Sequence, residues 1–163
     1  MDQKKARELP KLNDTLVPPP PEDRVLELDE LWSFVYSKAN KCWIWIALCA
    51  VTRQVVAFVT GDRSEKTCRR LWRAVPWRYK RATCFTDFWE AYRTVIPSGQ
   101  HGAVGKESGL TNHVERWNNT LRQRVGRFVR KSLSFSKSWE MHVACLALFV
   151  HRYNQDRANV ILN

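Results

Sequence analysis

No two of the five cysteines (Cys42, Cys49, Cys68, Cys84 and Cys145) form a C-x-x-C pair, and each lies in an apolar stretch. That argues against a cysteine zinc cage and a disulfide framework, and reads as reduced core thiols. "HVE" at His113 to Glu115 has the H-x-E spacing of zinc deaminases, but no P-C-x-x-C follows it, so that chemistry is set aside as well. The most apolar run, "VACLALFV" at Val143 to Val150, falls well short of the roughly 20 residues that cross a bilayer, and the charged N-terminus lacks a signal-peptide core. The expected protein is soluble, cytoplasmic and nucleoid-associated, with no membrane partner. Acids are scarce too: 16 Asp and Glu stand against 27 Lys and Arg, a net charge of +11. A surface field of that sign attracts polyanions and makes nucleic acid the first partner to consider.

The 163 residues suffice for one domain with its own core, so one site is sought. Basic residues concentrate in two blocks. Arg63 to Arg81 holds eight against Glu65 alone, and Glu115 to Lys137 holds seven against Glu115 alone. Either block taken singly is also what a solvated helix face looks like.

Residues 1–17 are polar and mixed in charge, and "VPPPPED" follows at Val17 to Asp23. Four consecutive prolines fit neither a helix interior nor a central strand. Residues 1–23 are therefore expected to be a polar, proline-rich extension or linker, and 24–163 the folded domain.

"VLELDELWSFV" (Val25 to Val35) alternates with period two: Leu26, Leu28, Trp32 and Phe34 share one face, Glu27, Asp29 and Leu31 the other. "KCWIWIALCAV" is apolar on both faces, as a buried central strand is, and "QVVAFVTGD" closes an antiparallel run of three strands connected at "SKANK" and "TRQ". Ser64 is placed to cap a helix in which Cys68, Leu71, Trp72 and Val75 recur at helical spacing and which Pro76 ends. "RATCFTD" is a fourth strand, entered through a helix crossover and so parallel to the first. "PSGQHGAVGKESGL" holds four of the six glycines and reads as a loop with room for one short strand. A long basic helix runs from Thr111 towards Gly126, and a final helix near Trp139 to Tyr153, apolar nearly all round, is expected to be buried. No internal repeat is present. Three antiparallel strands followed by helix-linked parallel strands, with helices on the flanks, is the α/β order of an RNase H-like mixed sheet.

In such a fold the first and fourth strands lie side by side, which brings Asp29 and Asp87 together. Two carboxylates there repel unless a cation lies between them. Hard oxygen ligands favour Mg²⁺, or Mn²⁺ as a substitute, over zinc. Two such ions about 4 Å apart clamp a phosphodiester, and the helix entered at Thr111 offers Glu115 as the third ligand. Each acid also has an ordinary reading. Asp87-Phe88-Trp89-Glu90 is a helix-start pattern. Asn112 with Glu115 is another, and the helix dipole favours an acid in a first turn anyway. Asp29 sits in an interior strand where an unpaired acid is costly, with Glu27 on the same face as a rival. Asn118, Asn119 and Arg122 follow Glu115 along one helix face, suiting a phosphate backbone or simply solvent. Trp117 points elsewhere, to pack or to stack on an extruded base.

"LELDELWSFV", "CFTDFWEAY", "NHVERWNNTLRQRVGRFVRKSLSFSKSWEMH" and "HRYNQ" closely resemble the catalytic region of the DDE transposases of the insertion sequence 1 family, over about Leu26 to Gln155. The resemblance implies an RNase H-like fold with a catalytic and metal-binding triad of Asp29, Asp87 and Glu115 that takes two Mg²⁺ ions. It implies cleavage at element ends followed by direct attack of the exposed 3′ hydroxyl on target DNA. Arg122 matches a basic position that in this family is expected to contact DNA. Lys106, Asn118, Asn119, Arg124, Arg127, Arg130 and Lys131 complete the expected DNA-binding set. The alternatives are an RNase H-like remnant that binds DNA without chemistry, and a nuclease that cuts without joining.

One departure from the family stands out. Its full-length enzymes carry an N-terminal zinc-binding and helix-turn-helix region, and nothing before Pro18 matches one. This chain is expected to be a second-reading-frame product or a catalytic fragment, partnered by that region from another frame. It is expected to bind DNA with little sequence preference and to form a homo-oligomer on it.

Overall fold

The alternation that begins at Val25 produces β1 (Val25–Val35), a strand covered on both faces. It is the middle strand of a five-stranded sheet in the computed structural model, which describes residues 3–129, 131 and 133–163. β2 (Ser37–Cys49) and β3 (Val55–Gly61) pair antiparallel on one side. β4 (Thr83–Thr86) and β5 (His101–Ala103) lie parallel on the other. The order β3-β2-β1-β4-β5 is RNase H-like. β2 starts earlier than its apolar run suggests: Lys41 pairs with Phe34 and Ser37 with Val35 across a register shift, while the side chains of this stretch stay mostly in water. The chain reverses at Tyr36, which takes a positive φ of 65°.

Among the described residues five α-helices accompany the sheet: α1 (Gln3–Arg7), α2 (Glu65–Ala74), α3 (Glu90–Val95), α4 (Asn112–Arg124) and α5 (Trp139–Leu162). Ser64 caps α2, its hydroxyl accepting from the Thr67 amide. The sheet divides two apolar layers. Leu26, Leu28, Trp45 and Ala47 pack with Cys68 and Leu71 of α2 and Tyr92 of α3. On the opposite face Leu31, Ile44, Ile46 and Val55 pack with Val114, Trp117 and Leu121 of α4 and Cys145, Leu146 and Val150 of α5. All five cysteines are free and buried. Among the described residues no helix is long and apolar enough to cross a membrane.

Two expectations change. α5 runs on to Leu162 and is not buried all round: one face is covered, while Val160 and Leu162 are exposed. The proline-rich stretch is not a free spacer either. Leu16 enters the core, the Val17 amide donates to Gln54 Oε1 at 2.7 Å, and Gln54 Nε2 donates to the Thr15 carbonyl at 2.8 Å. Asn154 of α5 ties the same place together, donating to Thr15 Oγ1 at 3.0 Å and to the Val55 carbonyl at 2.9 Å. Prolines that cannot join the sheet lie along the domain, and buried amide side chains supply the hydrogen bonds a strand partner would have given.

Candidate active site

β1 and β4 pair with Glu27 opposite Phe85. Two residues further, where side chains return to the same face, stand Asp29 and Asp87. Both line a cleft of about 490 Å³ together with Glu115, Asn118, Asn119 and Arg122 of α4, and Lys106 from the loop before it. The structure thus brings together seven of the residues singled out from the sequence. Arg124, Arg127 and Lys131 are not in this lining, and Arg130 lies outside the described residues.

α4 is aimed by its apolar side. Val114, Trp117 and Leu121 bury against the sheet, which turns Glu115, Asn119 and Arg122 to the cleft. Trp117 packs edge-on against Phe149 and Tyr153. The start of the helix is fixed by an acid from the sheet: Glu27 Oε2 accepts the amides of His113 and Val114, each at 2.8 Å. Thr111, at the N-cap position, makes no side-chain cap, so Glu27 takes over the capping role. Burial raises the Glu27 pKa while the two amides oppose that shift. Glu27, the rival to Asp29, is thereby committed to structure.

Asp29 is held in place by two donors, the Glu30 amide at 2.9 Å and Asn118 Nδ2 at 2.7 Å. Burial pushes its carboxyl up to about 7, and the charges of Glu30, Asp87 and Glu115 push the same way. Asp87 does not cap α3, whose N-cap is Trp89. It closes the turn out of β4, Oδ1 accepting the Trp89 amide at 2.9 Å. Glu115 accepts from Thr111 Oγ1 at 3.3 Å.

Sequence reasoning overlooked a second buried acid. Glu30 lies on the α2–α3 face of β1 and accepts Tyr92 Oη at 2.6 Å and two N–H groups of Arg63, at 2.7 and 2.9 Å. Arg63 in turn lies over the rings of Trp43 and Trp89, 4.8 and 4.2 Å from their centroids. Burial raises the Glu30 pKa, and its two partners hold it down. Arg63, Trp43 and Glu30 all line the cleft, so a fixed guanidinium sits on its wall. The signal was there to read, since Glu30 is the gap in the apolar series Leu26, Leu28, Trp32, Phe34.

Whether these residues suit a divalent cation is answered by the donors. The cleft offers hard carboxylate oxygens from Asp29, Asp87 and Glu115, besides Glu30, which is engaged by Arg63 and Tyr92, and the buried Oδ1 of Asn118 has no hydrogen-bond partner. Mutually repelling carboxylates of this kind are relieved by a cation. Among the described residues, however, no three acids, cysteines or histidines sit close enough to enclose a metal, so the acids share a cleft without forming a closed cage. The donor chemistry fits.

Comparison with known proteins places this geometry in context. The model of the IS1 transposase family matches residues 24–155. The chain is 38% identical over 129 residues to the insertion element iso-IS1n protein InsB of Shigella dysenteriae, covering 79% of this chain and 95% of that one. It is 37% identical over 116 residues to the insertion element IS1 protein InsB of Shigella flexneri, covering 71% of this chain and 86% of the relative. With the insertion element IS1 4 protein InsB of Escherichia coli (strain K12) the identity is 36%, over 71% of this chain and 67% of the relative.

Proposed function

We propose, from the premise that this chain belongs to the IS1 transposase family, that it is a DDE catalytic domain which cuts DNA at insertion-sequence ends and joins the exposed 3′ hydroxyl to target DNA. One observation carries the reading. The β1–β4 register puts Asp29 and Asp87 side by side, and α4 brings Glu115 to the same cleft.

Asp29, Asp87 and Glu115 would hold a pair of Mg²⁺ ions, which when bound supply Lewis-acid activation of the attacking oxygen and charge relief at the leaving one. The chain's own residues do the positioning. Asn118 fixes the Asp29 carboxylate, and Asp87 is fixed by its turn. Arg63, Lys106 and Arg122 on the cleft wall neutralise phosphate oxygens, and Asn119 donates to them. In the first step a water oxygen bonds to phosphorus and the 3′ oxygen leaves with a proton. In the second that 3′ hydroxyl attacks a target phosphate, one P–O bond forming as another breaks, with no covalent link to the protein. Recognition of particular end sequences is assigned to a zinc-binding, helix-turn-helix region from another reading frame, and pairing of two ends to a dimer or higher assembly on DNA.

The deciding experiment is metal-dependent cleavage of an element-end duplex by the wild type and by Asp87→Asn. Cleavage lost in the variant, with duplex affinity kept or raised, supports the proposal. Identical behaviour of the two in every metal-dependent assay would sink it.

A further inference from the structure

On the other side of α4 from the catalytic cleft is a second cavity, of about 310 Å³, where the β2–β3 turn meets α4 and α5. It is lined by Arg53, His113, Arg116, Trp117, Tyr153 and Arg157, and by no acid. Three guanidiniums in one small pocket repel one another. Among the described residues no carboxylate lies within ion-pairing distance of any of the three. Two of them are nonetheless held in place. Arg53 occupies a turn position with φ of 65°, uncommon for a residue with a side chain, and its guanidinium donates to His113 Nδ1. Arg157 donates from Nε to the Thr52 carbonyl at 3.2 Å. Glu27 lies behind the cluster, its Oε1 3.9 Å from His113 Nε2 and its burial-raised pKa drawn down by the Arg53 charge, but it is already engaged by two helix amides. Three guanidiniums against that one acid leave an excess of positive charge suited to an anion.

We propose that this pocket is a second phosphate-binding site, taking a backbone phosphate of DNA whose strand crosses α4 from the catalytic cleft. The helix surface supplies the path. Arg116 stands three residues before Asn119, so the two are surface neighbours, one facing the pocket and one the cleft. A helix with its side chains is about 10 Å across, so a strand has only that width to cross between the two sites. The proposal rests on the reading of the chain as a DNA-processing enzyme. It adds a place on the protein that the triad does not require.

The test is anisotropy of a labelled duplex long enough to span cleft and pocket, titrated at several salt concentrations with the full chain. Wild type is compared with Arg116→Ala, with the Arg116→Ala/Arg157→Ala pair, and with Lys66→Ala, which removes an exposed charge from the other face of the sheet. Calorimetry with orthophosphate is run on the same proteins. A salt slope that falls by about one for each pocket arginine, and does not fall for Lys66→Ala, supports the DNA-backbone site. Orthophosphate bound by wild type and lost in the pair, with duplex binding unchanged, keeps the phosphate site and assigns it to a free phosphate. Pocket and Lys66 variants that weaken duplex binding equally, or no change in either measurement, overturn it. Arg116 is exposed, so its single variant answers even if the pair misfolds. Cleavage through Asp87 is scored separately: intact cleavage with unaffected pocket variants removes only this proposal, while absent cleavage removes the catalytic reading and leaves the orthophosphate arm to judge the pocket.

Discussion

Asn118 of the helix donates to Asp29 of the strand at 2.7 Å, joining the two elements that carry the acids of the cleft. The bond uses the one side chain on α4 that is both nearly buried, at 5% exposure, and amide-bearing. Asn118→Leu should leave Asp29 Oδ2 without its partner and destabilise the fold by about 1–3 kcal/mol. Chemical denaturation measures this directly. Cleavage should fall more than duplex affinity, since the carboxylate loses its orientation while the basic residues remain.

Glu27 gives a graded pair of variants. Glu27→Ala removes the acceptor of two helix amides and should cost about 1–3 kcal/mol. Glu27→Gln keeps a carbonyl oxygen that can still accept, and should cost less. Equal losses in urea titrations would show that the charge, not the acceptor, holds the helix.

The pH response of Asp29 follows from its pKa, moved from 3.8 to about 7. The folded state keeps this proton to higher pH than the unfolded state, so the group's contribution is full below about 4 and is lost as pH rises through 7. His142, buried between Ser33 and Ser136 and lowered to about 4, works the other way: its contribution is present above 6.5 and is lost as pH falls through 4. Asp29→Asn should therefore lose stability less steeply than wild type between pH 4 and 7 in metal-free buffer. Melting temperatures across that range test it, and parallel curves would refute the shift.

Arg63→Lys should weaken both jobs of the guanidinium. A lysine cannot make the paired bond to Glu30 or stack on Trp43 and Trp89. About 1–3 kcal/mol of stability should go, because the Glu30 carboxylate is buried. If Arg63 also touches phosphate, the salt slope of duplex binding should stay near the wild-type value in the lysine variant and fall by about one in Arg63→Ala.

Local periodicity made the sheet legible: β1, the Ser64 cap and the parallel placement of β4 all follow from spacing and crossover rules. Asp29 and Asp87 were legible because two strands with known neighbours fix where their ends meet. The pocket of Arg53, Arg116 and Arg157 was not, since three arginines so far apart in sequence converge only through tertiary packing. Nor was the docking of Leu16, which depends on Gln54 and Asn154 side chains bonding to backbone and leaves no periodic trace. The end of α5 was misjudged because its last turns carry little apolar periodicity and need only backbone bonding to continue.

Glu27, Asp29 and Glu30 give β1 the character of a ruler. Glu27 grips α4, Asp29 two positions on meets Asp87, and Glu30 one further turns to the opposite face and holds Arg63. Inserting or deleting one residue within this stretch would exchange the faces of whatever follows, sending Asp29 towards Tyr92 or Glu30 towards Asn118. Functional relatives should therefore align from residue 27 to residue 30 without a gap, because a change of length there moves all three acids at once.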